Sequence, residues 1–520
     1  MPGPTGHHGV SMSDASTPTR TAGDHPLDTL DWHNAGAALG APYYTPQAPS
    51  PIAAPYPVLL NDEVARLIGL DGADLRRAGY AEVLSGNQLP QGAAPVSHRY
   101  GGHQFGVWAG QLGDGRAITL GDIQRADGKA FDIQLKGAGQ TPYSRFADGR
   151  AVLRSTIREY LASEALAHLD IPTTRALAIV GSDAPIRRET IETAAILTRV
   201  APSLVRFGSF EMLFYDQDFE ALAPLADAVI SAHHPEIAAI ETPTERYRAW
   251  AGRVITLTAE LIADWQAVGF CHGVLNTDNM SVLGLTLDYG PFGFMDSFQP
   301  DWVCNHTDAG GRYAYNQQPQ VGLWNLGRFV QAILPLLAEE PDDAVQIGQD
   351  MLQTYRGAYD AAYMRRMRAK LGLAEAHDDD RALVESLFKV MAADGADFTR
   401  TFRGLCHVGH AADGNDSAFV DEFVDVDAAR QWLVDWRARL AHETDDEATR
   451  QAGMRGVNPK YILRNYLAQQ AIEQAQAGDY SELERLHEVL KAPFDEQPEH
   501  AAYAELPPDW ARGLVLSCSA

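Results

Sequence analysis

The run His272-Gly273-Val274-Leu275-Asn276-Thr277-Asp278-Asn279, with Asp288-Tyr289-Gly290 downstream, holds residue types that handle metal and phosphate. An Asn and a later Asp offer oxygen ligands to a hard divalent cation, which bridges phosphate oxygens. On that reading Asn279 and Asp288 are ligands for Mg2+ or Mn2+. An ordinary Asn/Asp-rich turn is the plain alternative. Upstream, Lys136 closes the alternating run Phe131–Leu135, and Glu159 lies on the helical pattern that follows. A strand Lys held by a helix Glu is one way to place a positive charge on a phosphate; Glu164 is a rival partner for Lys136, and Arg158 a local partner for Glu159. Arg199 and Arg206 flank Pro202 and add two planar forks suited to phosphate oxygens. Gly113, Gly115 and Arg116, and then Asp148 and Gly149, sit in Gly turns where a backbone can approach a ligand closely.

Protein kinases use this order of strand Lys, helix Glu, Asn and metal-binding Asp. They place the proton-accepting Asp two residues after the His, where this chain has Val274. A hydrophobe accepts no proton, so either Asp278 is a relocated base or phosphotransfer has been lost. There is no GxxxxGK[ST] loop, no GxSxG elbow and no HExxH pair, and His98, His103 and His272 read as structural.

The elements that must position these residues follow from periodicity. Asn61–Ile68 reads as a short capped helix, and Ala117–Leu120 and Phe131–Leu135 as strands around a turn at Asp127-Gly128. Ala151–Leu169 repeats apolar residues at helical spacing, and Thr173–Gly181 and Ala194–Val200 read as further strands. Thr242–Val268 is a long amphipathic helix, with Thr242, Pro243 and Glu245 predicting a capping box. After Val321 the pattern is mostly helical, with breaks near Pro341, His377, Gly414 and Asn458.

The 520 residues are 45% hydrophobic and carry a net charge of −27, which fits a globular chain and disfavours nucleic-acid or anionic-membrane binding. The charge is uneven. From Thr141 to Phe210 nine Arg face seven acids, whereas from Gln331 onward 19 Lys+Arg face 34 Asp+Glu. Four cysteines without a CxxC pair, and a start with one basic residue (Arg20) in fifty and no apolar core, point to a reducing, cytoplasmic setting.

Longer motifs carry a resemblance. Tyr100-Gly101-Gly102-His103-Gln104-Phe105-Gly106, Gln134–Gly139, His272–Asn279, Leu287–Gly293, Cys304–Asp308, Asn316–Pro319 and Ser517-Cys518-Ser519 are similar to those of the selenoprotein O, or YdiU, family of protein adenylyltransferases, from about residue 30 onward. The resemblance implies an α+β, protein-kinase-like bilobal fold with a helical C-terminal extension. Its expected division is a flexible tail (1–50), an extension (51–96), a small lobe (97–210), a large lobe (211–340) and a helical region (341–520). It implies transfer of AMP from ATP to Ser, Thr or Tyr hydroxyls of proteins, with the nucleotide flipped relative to kinases. Carried over, Asp278 matches the base, Asn279 and Asp288 the metal ligands, and Lys136 and Glu159 the ion pair. Gly113, Gly115, Arg116, Asp148, Gly149, Arg199, Arg206 and Asp288 match nucleotide contacts. It also suggests a redox disulfide at Cys518, with Cys304 the candidate partner. UMP transfer from UTP, phosphotransfer and a nucleotide-binding scaffold are the alternative readings.

Overall fold

The computed structural model describes residues 25–411 and 416–514, so the expected break at Gly414 lies outside the described residues. The chain is a mixture of helices and antiparallel sheet. Its strands are β1 (Tyr44–Pro46), β2 (Tyr56–Leu60), β3 (Val96–His98), β4 (Gly101–Gln104), β5 (Val107–Gln111), β6 (Ala117–Gln124), β7 (Ala130–Lys136), β8 (Ala151–Val152), β9 (Arg175–Arg187), β10 (Ile191–Ala201), β11 (Phe270–Cys271) and β12 (Gly293–Phe294). The main sheet runs β1-β3-β6-β7-β10-β9-β2, with β8 also against β10.

Register decides which side chains meet. Gln134 pairs with Arg199 and Lys136 with Leu197, so the two-residue alternation of strands puts Gln134, Lys136 and Arg199 on one face. The other face presents Ile118, Leu120, Ile133, Leu135 and Ile196 to the short helices Asp62–Leu67, Gly72–Ala78 and Ala81–Leu84. Asn61 caps the first of these through its side-chain oxygen, as its position predicts. The helix Leu153–His168 crosses the polar face and buries Ile157, Tyr160 and Leu161 in the largest core.

Three expectations need correction. Residues 25–50 are built into the fold rather than trailing as a tail: Leu27 is buried and Tyr44–Pro46 pair with β3, because apolar groups in that segment find a sheet edge to cover. Residues 1–24 lie outside the described residues. The helix expected from Ala151 starts at Leu153, since Ala151 and Val152 first pair with β10. Helix Pro243–Ala267 lacks the capping box: the Thr242 side chain makes no cap hydrogen bond. Thr242 and Glu245 are both exposed, so the first turn is open to solvent and does not require a side-chain cap.

Beyond it the chain is helical, with Gln318–Leu337 and Pro341–Leu371 packed on Pro243–Ala267. A second core, around Phe398, Trp432 and Trp436, belongs to the C-terminal helices. Among the described residues no helix is long and apolar enough to cross a membrane.

Candidate active site

Three buried cations converge on Asp288. Lys136 Nζ lies 2.5 Å from Glu159 Oε2 and 3.7 Å from Asp288 Oδ1. Arg199 donates to Asp288 Oδ1 at 2.7 Å, to Gln134 Oε1 at 3.1 Å, and through Nε to Glu159. Arg206 donates to Asp288 Oδ2 and, at 2.8 Å, to the backbone carbonyl of Asp278, while its guanidinium lies 4.6 Å from the Tyr100 ring centroid. Burial alone would raise the Asp288 carboxyl, but Arg206, Arg199 and Lys136 outweigh it and hold it well below the usual range. Burial, helped by the nearby Arg199, pushes Lys136 down to about 8 despite Glu159. The rival pairings are settled by geometry. Glu164 is taken by Arg175 at 2.7 Å and Asn61 at 2.7 Å, and Arg158 turns to the Phe292 carbonyl at 3.1 Å.

In front of this knot opens a cleft of about 960 Å³. Its walls bring together Gly113, Gly115, Arg116, Lys136, Asp148, Gly149, Arg199 and Asp288. Glu159 and Arg206 stand one contact behind, through Lys136 and Asp288. Gly113 needs its hydrogen: its φ is +73°, and a Cβ there would collide with the Tyr143 ring. Asp148 is held by Arg188 at 2.7 and 3.1 Å. The walls also include Tyr143, Arg145, Arg150, Arg187 and Arg188, which sequence reasoning did not assign to the site. The excess of Arg between Thr141 and Phe210 was the available signal for four of them.

The loop carrying Asp278 hangs from β11. His272 donates its N–H to Gln318 Oε1 at 2.9 Å, and its ring bonds the Leu287 carbonyl at 2.7 Å, so both ends of the loop system are fixed. Thr277–Asn279 form one turn of 3-10 helix, and Met280 bridges to Thr286 before the chain reaches Asp288. Asn279 donates to the Val274 carbonyl at 2.8 Å. Asp278 is buried, with Oδ2 accepting from Gln104 at 3.1 Å and Oδ1 left without a partner. Burial pushes its carboxyl up to about 7, against the opposing Gln104 and Arg206. Val274 is buried and apolar. Sequence reasoning does not assign Gln104 to the site, because nothing in a sequence shows that residue 104 meets residue 278.

The oxygens here suit a hard divalent cation: the Asn279 side-chain carbonyl, the Asp288 carboxylate and the orphaned Asp278 Oδ1. Among the described residues no three His, Cys, Asp or Glu side chains gather into a closed metal cage. His98 bonds Thr119 at 3.0 Å and His103 bonds Glu211 at 2.5 Å. Cys304 is a buried free thiol that donates to the Pro291 carbonyl at 2.8 Å, and Cys518 lies outside the described residues.

The comparisons agree across most of the chain. The family described as "Protein adenylyltransferase SelO" matches residues 26–491. A "Protein nucleotidyltransferase YdiU" from Paraburkholderia xenovorans (strain LB400) is 52% identical over 495 residues, covering 94% of this chain and 95% of that protein. Proteins of the same name from Burkholderia multivorans and Thioalkalivibrio sulfidiphilus are each 50% identical, covering 96% and 95% of this chain and 99% and 100% of theirs. With nearly its full length matched, the chain belongs to the protein adenylyltransferase SelO family.

Proposed function

We propose that this protein is a kinase-like nucleotidyltransferase that moves AMP from ATP to Ser, Thr or Tyr hydroxyls of proteins and releases pyrophosphate. Residues 97–210 act as the small lobe, 211–340 as the large lobe and 341–520 as a helical buttress, in a cytoplasmic protein. The observation that carries the reading is the convergence of Lys136, Arg199 and Arg206 on Asp288, beside a cleft large enough for a nucleotide.

Lys136 and Arg199, fixed by Glu159, hold phosphate oxygens from the sheet side, and Arg116 and the Gly113–Gly115 backbone line the approach. Asn279 and Asp288 hold Mg2+ or Mn2+, which when bound neutralises charge gathering on the phosphates. Asp278 takes the proton of the acceptor hydroxyl through Oδ1, a role Val274 cannot fill. The oxygen attacks the α-phosphorus, the bond to the β-phosphate oxygen breaks, and pyrophosphate leaves. Cations on the sheet side support a nucleotide whose phosphates point into the small lobe. Cys304, one loop from Asp288, and Cys518 form the redox pair of this reading.

The test is ATP labelled on the α- or the γ-phosphate, with an Asp288→Ala control and a matching UTP arm. Covalent α-label on protein, lost in the control, is expected. Label from the γ position alone would make the protein a kinase, and binding without any transfer would make it a scaffold.

A further inference from the structure

One motif remains without a task. The β4–β5 hairpin pairs Gln104 with Val107, so Phe105 and Gly106 form its two-residue turn, with φ of +50° and +79°. The hairpin is fastened to the loop of the proposed base. His103 N–H donates to Thr277 Oγ1 at 2.7 Å, Phe105 N–H to Tyr313 Oη at 2.7 Å, and Gln104 to Asp278. A Cβ on Gly102 would lie 2.7 Å from Asp278 Oδ1. Yet the tip turns apolar groups outward: Phe105 is 44% exposed and Val107 is 69% exposed.

Beneath the tip lies unbalanced charge. A Cβ on Gly106 would sit 3.1 Å from the Arg312 guanidinium carbon. Arg312 and Arg328 flank Trp324, with guanidinium carbons 4.7 and 5.3 Å from its ring centroid. Neither forms an ion pair among the described residues, and Nε of each is buried without a partner. The neighbouring carboxylate, Asp308, is spent on the backbone N–H groups of Arg312 at 3.1 Å and Tyr313 at 2.7 Å, and it forms no ion pair with either guanidinium. The wall is rigid, since Trp324 meets His103 edge-on at 5.4 Å. Cation–π contact fixes the guanidinium planes, and although Nε of each is buried, both side chains are only half-buried and have terminal N–H groups to offer an anion.

We infer that this surface docks the acceptor protein, holding an extended segment against the hairpin tip and seating an Asp or Glu side chain of that segment on Arg312 and Arg328. The inference rests on the transfer reading above and adds the acceptor's chemistry to it. Gln104, which touches Asp278, is two residues from Gly106, which covers Arg312. At roughly 3.5 Å per extended residue, the acidic side chain falls about two to four residues from the modified hydroxyl.

The test uses the full chain and three fluorescein-labelled peptides of equal length. Each has one Tyr, flanked at that distance by a pair of Glu, Gln or Lys residues. Anisotropy without nucleotide is expected to show the Glu peptide binding about tenfold tighter than the Gln peptide, less so at high salt. Arg312→Gln with Arg328→Gln should remove the preference. Arg312→Glu with Arg328→Glu should invert it toward the Lys peptide, which a folding defect could not do. Equal affinities in the unmodified chain, or a preference that survives both double variants, would reduce the stack to internal packing. α-Label transfer is followed on the same peptides. Transfer without charge preference would overturn the docking surface alone, and a Glu preference in binding without transfer to any peptide would overturn the transfer reading alone.

Discussion

Asp278 and Asp288 lie ten residues apart and are driven in opposite directions by their surroundings. Asp288 meets three cations and stays ionised, whereas Asp278 is buried against a neutral amide and is pushed up to about 7. A base must be ionised to act and Lys136 must stay charged to hold phosphate, so α-label transfer is expected to rise as pH climbs through about 7 and to fall again above about 8. A profile flat across neutrality would remove Asp278 from that role. Asp278→Asn keeps the shape and the Gln104 contact but cannot take a proton. Transfer should fall by about 10²–10⁴ while ATP affinity, measured by calorimetry, changes little.

At the scale of elements, the cleft depends on two turns of different stiffness. Gly113 and Gly149 both have positive φ, but a Cβ on Gly113 meets a side-chain ring, whereas one on Gly149 meets the Gly139 backbone. A ring can swing and a carbonyl held in place cannot. Gly149→Ala should therefore lower the Tm more than Gly113→Ala, while Gly113→Ala chiefly weakens ATP binding through the displaced Tyr143. Equal melting shifts would contradict this. The same contrast explains what the sequence revealed. Strand β7 alternates cleanly, so Lys136 could be placed at a strand end. The β4–β5 hairpin holds Gly101, Gly102, Gly106 and Gly110 and shows little periodicity. Its hold on Asp278 spans 174 residues, a pairing that only tertiary structure supplies. The Thr242 cap fails for the opposite reason: the local pattern is present, but at an exposed end nothing requires the side chain to close it.

Across the whole molecule, one buried residue stands out among the contacts that tie the acidic C-terminal helices to the site. Arg464, 1% exposed, bonds Asp397 at 2.8 Å and also Asp296, eight residues past Asp288. Arg464→Ala strands the Asp397 carboxylate in the interior and is expected to cost about 3–5 kcal/mol, seen as a lowered denaturant midpoint. An unchanged midpoint would mean the C-terminal region merely rests on the site. The knot at Asp288 carries a last consequence. Arg199 and Lys136 come from the sheet, and Asp288 from the far side of the cleft, so the same contacts that close the molecule occupy the groups that ligands need. On the proposed reading, phosphates that draw Arg199 and Arg206 away would release Asp288 to hold a cation. An Asp288 already engaged by a cation releases the arginines for phosphate. Nucleotide and divalent ion should thus bind with positive cooperativity, each tightening the other by the same factor, as linkage requires. Titrating ATP with and without Mn2+, and Mn2+ with and without ATP, would reveal it, and independent affinities would show that the knot stays tied throughout.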